Sequence, residues 1–315
     1  MNDAIVTRNL VKRYGKGNAL DGFSLSVPSR SVMGLVGRNG AGKTTWMMTV
    51  AGFVMPTSGE IDILGQGPFD AARHSGRISI LPQDSELPLE ARAGDLLVSY
   101  ARLQGLSSAD AKKSASSLLR ALNLGDRAKS TIRSLSHGMR KRVMIAQAFI
   151  GNPEVIMLDE PLSGLDPVEM DRMRAFILSR RGKQTIVISS HHLDDIQKLC
   201  THVAFIAAGR LENVSTLAAI TSESGRIIYS LRNRPANLEE LESLLPGVSL
   251  SWNADASALT AEFDSSIPPE DANKSLVPAL LDCGLVSITS GRTLEQAYLQ
   301  GLDGKQASNE RKTAK

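Results

Sequence analysis

The sequence predicts an α/β fold, a mixed sheet carrying a helical insert and followed by a smaller α+β unit. Three features of its 315 residues carry that reading. Apolar runs at residues 32–36, 155–158 and 185–189 have the look of strands buried on both faces, the parallel type. Between about residues 93 and 151 the apolar spacing turns helical. After residue 225 short strands and helices alternate in a second, independent pattern.

Taken in order, Ile5-Val6 begins one strand and residues 23–27 alternate as a second. Residues 32–36 form a third, running into a glycine loop, and a helix follows over about 42–51. The turn Thr57-Ser58-Gly59 opens a strand at 60–64, and residues 77–81 form another, stopped by Pro82. In the helical insert Leu96, Leu97, Tyr100 and Leu103 share one segment, and Leu118, Leu119 and Leu122 the next. The strand at 155–158, a helix at 168–181 and the strand at 185–189 make a strand-helix-strand crossover. Residues 203–206 add a strand before a turn at Gly209, and small polar residues at 221–225 mark a boundary. Beyond it strands are expected at 227–231, 248–252, 259–263 and 285–289, with helices at 238–245, 272–281 and 294–299. The order β-α-β-β-α-β is that of a split βαβ, ferredoxin-like domain. Residues 303–315 read as a solvated polar tail.

Composition excludes several classes. With 42% hydrophobic and 22% charged residues the chain is neither disordered nor a disulfide scaffold. A net charge of +3 from 36 basic and 33 acidic residues is too small to mark a nucleic-acid surface, and no nucleic-acid partner is expected. Cys200 and Cys283 lack metal-ligand spacing, so free thiols in a reducing, cytosolic compartment are the expectation. The start of the chain, Met1-Asn2-Asp3-Ala4, does not resemble a secretory signal. No apolar run reaches the ~18 residues a membrane helix needs, so a membrane role must come through a partner.

Two motifs carry chemistry. Gly37-Arg38-Asn39-Gly40-Ala41-Gly42-Lys43-Thr44 matches G-x-x-x-x-G-K-[ST] in full, placed between a strand and a helix. Its glycines let backbone N–H groups turn toward phosphate, and the positive end of the following helix favours an anion. Lys43 is expected to reach the β/γ-phosphates and Thr44 to hold Mg²⁺. The second motif is Asp159-Glu160 at the end of the run Val155-Ile156-Met157-Leu158. Neighbours leaving a strand are expected to face opposite ways, with Asp159 toward Mg²⁺ and Glu160 toward an attacking water. Taken alone the acid pair would read as a surface or helix-capping feature.

With these motifs comes Leu135-Ser136-His137-Gly138-Met139, and the chain now resembles the nucleotide-binding subunits of ABC transporters, in order, over about residues 4–220. The family's commonest signature is Leu-Ser-Gly-Gly-Gln; here His137 replaces the first glycine and Met139 the glutamine. The resemblance implies a P-loop ABC ATPase domain at residues 1–220 with a helical subdomain at about 85–151, an accessory domain at 221–302 and a tail at 303–315. It implies that ATP is held by Gly37, Arg38, Asn39, Gly40, Ala41, Gly42, Lys43, Thr44 and Thr45, with Tyr14 stacked on adenine. Ser136 and Gly138 then contact the γ-phosphate of ATP on an opposite subunit. Mg²⁺ falls to Thr44, Gln83 and Asp159, and the catalytic set is Glu160, His191, Lys43 and Gln83. His191 is chosen over His192 by alignment on Ser189-Ser190. Ser163-Gly164-Leu165-Asp166-Pro167 matches the loop through which paired subunits communicate, and also reads as a helix cap before Val168.

The implied partners are separate integral membrane permease subunits and a second ATPase subunit, a head-to-tail homodimer sandwiching two ATP molecules at the cytoplasmic face of the membrane. Arg140, Lys141 and Arg142 after the signature, and Thr293-Leu294-Glu295-Gln296-Ala297-Tyr298-Leu299, resemble ABC-2 type exporter ATPases. The rival is a soluble ABC-type clamp acting on a ribosome or nucleic acid. Such factors usually carry two nucleotide domains, and this chain has one glycine loop, one signature and one Asp-Glu pair.

Overall fold

The structure, a computed structural model, describes residues 3–221, 225–263, 267–290 and Leu294. The chain divides into two compact units, Met1–Ser215 and Thr216–Lys315. In the first, strands β1 (Asp3–Tyr14) and β2 (Gly17–Pro28) form an antiparallel hairpin. β3 (Val32–Val36), helix α1 (Lys43–Val50) and β4 (Ser58–Ile63) follow, and β4 pairs with the free edge of β1. The short helix α2 (Ala71–His74) and β5 (Ile78–Leu81) lead into the helical insert. There α3 (Ala93–Leu103), α4 (Ser108–Ala121) and α5 (His137–Phe149) are joined by two single turns of 3₁₀ helix. The chain returns through β6 (Val155–Asp159), α6 (Pro167–Leu178), β7 (Thr185–Ser190), α7 (Leu193–Leu199), β8 (His202–Ala207) and β9 (Arg210–Thr216).

The main sheet runs β5-β6-β7-β3-β8-β9, and its pairs β5/β6, β6/β7, β7/β3 and β3/β8 are parallel. Every residue of β3, β6 and β7 is buried, as expected of strands covered on both faces. One consequence places the site. Because β3, β6 and β7 are parallel neighbours, their carboxyl ends, Val36, Asp159 and Ser190, lie side by side, and the loops that follow all open at one edge of the sheet.

The hairpin departs from the expectation of short strands, since β1 and β2 each run 12 residues. Register shifts between Asp3 and Ile5 and between Thr7 and Leu10, with Asn9 at φ 48°, break the in-out alternation that sequence reading relies on. β9 was likewise not anticipated past Gly209, because its residues are mostly exposed and polar and carry no apolar run.

The second unit holds helix α8 (Leu217–Thr221), β10 (Arg226–Leu231), α9 (Leu238–Ser243), β11 (Val248–Asn253), β12 (Ala258–Phe263), α10 (Pro269–Leu280) and β13 (Leu285–Ser290). The four strands after α8 form an antiparallel sheet in the order β11-β12-β10-β13, the arrangement of a split βαβ unit. α10 starts three residues before the expected 272, because Pro269 sits at the first helical position, where its missing N–H costs nothing. Tyr229 is fully buried in this core, its hydroxyl donating to Asn273 Oδ1 at 2.9 Å, and burial pushes its pKa up to about 12. Of the expected helix at 294–299, only the buried Leu294 lies within the described residues.

Candidate functional site

The glycine loop joins β3 to α1, and two of its glycines are required by geometry. At Gly42, φ is 110° and a Cβ would stand 2.7 Å from the carbonyl of Ala19. At Gly37 a Cβ would stand 2.4 Å from the carbonyl of Ile206. Any side chain there would push the loop off β2 and β8. Lys43 is 7% exposed, and its Nζ donates to the carbonyl of Gly37 at 2.6 Å and of Arg38 at 3.3 Å. Its ammonium is therefore curled inside the loop, poised over the start of α1. Burial lowers its pKa, while the carboxylates of Glu160 and Asp159 oppose that shift.

The acids arrive from β6. Asp159 Oδ2 accepts from Thr44 Oγ1 at 2.6 Å, and its other oxygen accepts from Ser189 Oγ on β7. Glu160 is not a strand residue: its φ is 48°, in the left-handed region, and the backbone turn brings both carboxylates to one cleft. Its N–H donates to Ser189 Oγ at 2.9 Å, and its Oε1 lies 2.9 Å from His191 Nδ1. Both acids are buried, at 1% and 6% exposure, so each depends on these partners.

Together these groups line a cleft of about 390 Å³. It receives Tyr14, Asn39, Gly40, Ala41, Gly42, Lys43, Thr44, Thr45, Gln83, Asp159, Glu160 and His191. Tyr14 is 53% exposed at the end of β1, with Lys12 Nζ 4.9 Å from its ring centre. Gln83 comes from the loop after β5. His192 is not among the lining residues, although its ring lies 4.0 Å from that of His191. Gly37 and Arg38 sit behind the wall, contributing the carbonyls that hold Lys43.

Ser136 and Gly138 do not line this cleft. Ser136 is exposed and caps α5, its Oγ accepting from Met139 N at 3.2 Å. Residues 135–139 instead stand against the loop 163–167 of their own chain. A Cβ on Gly164 would stand 3.5 Å from His137 Cε1, and Arg142 of α5 pairs with Glu169 of α6 at 3.0 Å in a nearly buried ion pair. Asp166 caps α6, its Oδ1 accepting from Glu169 N at 2.9 Å.

Four residues near the acids escaped the sequence reading as site residues. Ala19 and Ser163 line the cleft, the first delivered by the hairpin and the second by the loop before α6. Lys141 places Nζ 3.5 Å from the Glu160 carbonyl; burial lowers its pKa, opposed by the carboxylates of Glu160, Asp84 and Asp159. Ser189 bridges the two acids. Ser163, Lys141 and Ser189 each stand in a stretch that the sequence reading used for another purpose, and Ala19 carries no signal of its own.

A family model described as ABC transporter matches residues 20–163, a span that holds the glycine loop, Gln83, the signature and the acid pair. The daunorubicin/doxorubicin resistance ATP-binding protein DrrA of Streptomyces peucetius is 33% identical over 272 residues, 83% of this chain and 81% of that protein. The chain belongs to the family of ABC transporter ATP-binding subunits. The Nod factor export ATP-binding protein I of Ralstonia nicotianae is 35% identical over 206 residues, 64% of this chain and 63% of that protein's length. A solved ATP-binding subunit of an ABC transporter aligns at TM-score 0.62 and 28% identity, over 69% of this chain and 91% of that one. ABC ATP-binding domains bind ATP, and the family fits the cleft in hand.

The residues present suit the family's ligands. Lys43 and the start of α1 offer positive potential to a triphosphate. Thr44, Asp159 and Gln83 offer only oxygen donors, the set preferred by Mg²⁺. Among the described residues no group of three His, Cys, Asp or Glu is placed to hold a metal ion by itself.

Proposed function

We propose that this chain is the ATP-hydrolysing subunit of an ABC exporter, working as a head-to-tail pair beneath separate membrane permeases. The observation that carries the reading is the pairing of Glu160 with His191 beside Lys43 in a cleft from which the chain's own signature is absent. Each cleft is then closed by Ser136 and Gly138 of a second copy.

In this scheme Tyr14 stacks on adenine, and the loop N–H groups with Lys43 bind the phosphates. Thr44, Asp159 and Gln83 would hold Mg²⁺, which would supply charge neutralisation for phosphoryl transfer. Glu160 orients a water and takes its proton as the oxygen attacks the γ-phosphorus. The bond from that phosphorus to the bridging oxygen of ADP breaks, leaving ADP and inorganic phosphate. His191 Nδ1 fixes the Glu160 carboxylate, and its imidazole contacts the γ-phosphate in this reading. ATP thus completes the interface between two copies, and its loss opens it.

Export follows from the relatives, named for Nod factor export and daunorubicin/doxorubicin resistance. Among the described residues no helix is long and apolar enough to cross a membrane; in this reading separate permease chains supply the membrane path and the chain works at the cytoplasmic face. The test is capture of Glu160→Gln protein from detergent-solubilised membranes with ATP and Mg²⁺. Recovery of a polytopic membrane protein is the expected result. Recovery of ribosomal or nucleic-acid-bound proteins alone would favour a soluble clamp and overturn the transporter reading.

A further inference from the structure

We infer that Ser189 is a positioning residue for ATP hydrolysis, its hydroxyl setting the geometry of both carboxylates at once. The inference rests on the ATPase reading above and concerns a side chain that does not line the cleft.

A serine hydroxyl has one proton to donate and lone pairs to accept with. Ser189 Oγ donates to one oxygen of Asp159 and accepts from the backbone N–H of Glu160 at 2.9 Å. The Asp159 oxygen left over accepts from Thr44 at 2.6 Å, so the hydroxyl fixes how that carboxylate is turned toward the Mg²⁺ position. Its second bond acts on Glu160. A non-glycine residue at φ 48° is held in a disfavoured conformation, and the 2.9 Å N–H bond to Ser189 is the shortest of the bonds its backbone makes, beside those from Ser163 N–H and Lys141 to its carbonyl. Relaxed toward the strand conformation, Glu160 would follow the alternation of β6 and turn away from Asp159. Ser189 is fully buried, and Asp159 is its direct cross-strand neighbour in the β6/β7 register, so no water or mobile side chain substitutes for it.

The test separates the hydroxyl from the shape of the side chain. Ser189→Thr keeps an O–H, and Ser189→Val has nearly the same shape without one. The Val variant is expected to lose about 10–100-fold in kcat relative to Thr, the usual cost of removing an outer partner of metal-binding groups. Its KM for ATP should stay within a few-fold, while the Mg²⁺ concentration for half-maximal rate rises. In the nucleotide-free protein, hydrogen exchange at the Glu160 amide should be faster in Val than in Thr. Should the threonine methyl not be accommodated, Ser189→Ala against wild type carries the same comparison with a smaller side chain. Equal kcat, equal Mg²⁺ dependence and equal exchange in the two members of a pair would overturn the inference. A wild-type protein without ATPase activity would overturn the ATPase reading itself, a distinguishable failure.

Discussion

Glu160→Gln is expected to lower ATP turnover by about 10²–10⁴-fold, the range spanned by general bases, while ATP binding stays within a few-fold of wild type. Glutamine preserves the length of the side chain and an oxygen to accept from His191, so the 2.9 Å contact survives. The backbone N–H to Ser189 is untouched by the change. What is lost is basicity: an amide does not take a proton from water. The substitution also removes one negative charge from beside Asp159, which reduces repulsion of an incoming triphosphate. Phosphate release at saturating ATP and Mg²⁺, read beside equilibrium nucleotide binding, checks both halves. A variant retaining more than about a tenth of the wild-type rate would remove Glu160 from the role of base.

Lys43→Ala should fail at the earlier step. The ammonium lies curled against the carbonyls of Gly37 and Arg38, inside the loop that the triphosphate would enter. Hydrogen bonds to charged groups contribute roughly 1.5–3 kcal/mol, so removing one to phosphate weakens ATP binding by about 10–100-fold. Turnover falls with it, because the same cation neutralises charge in the transition state. The loss also leaves Asp159 and Glu160 with one fewer opposing charge, and the two carboxylates then repel the phosphates more strongly. Calorimetric titration with ATP and Mg²⁺ distinguishes the variants: Glu160→Gln binds and does not turn over, and Lys43→Ala does not bind at wild-type concentrations. Wild-type affinity in Lys43→Ala would contradict the placement of the phosphates.

The parts of the site legible in the sequence are those whose chemistry is local. The glycine loop is contiguous, and the steric demands at Gly37 and Gly42 fall on residues the motif already specifies. Asp159 and Glu160 stand directly after an unbroken apolar strand, and His191 directly after another. What the sequence hides is non-local. The role of Ser189 exists only because β6 and β7 are parallel neighbours with Asp159 opposite Ser189, a register no single segment encodes. The left-handed turn at Glu160 is hidden for a related reason: its N–H is held from β7. Ala19 enters the cleft through the hairpin of β1 and β2, whose register shifts blur its own pattern. In the fold, the fully buried parallel strands were the easiest to read, and the exposed polar β9 the hardest.

The central claim is that one copy supplies the loop and acids and a second copy supplies Ser136 and Gly138, which stand outside the cleft of their own chain. Sedimentation equilibrium of Glu160→Gln protein with saturating ATP tests it most directly. A monomer is expected without nucleotide, a dimer with ATP, and a monomer again when the exposed Ser136 is also changed to Glu, which sets a carboxylate against the γ-phosphate. A chain that binds ATP and remains monomeric at every accessible concentration, or a dimer indifferent to Ser136→Glu, would contradict it.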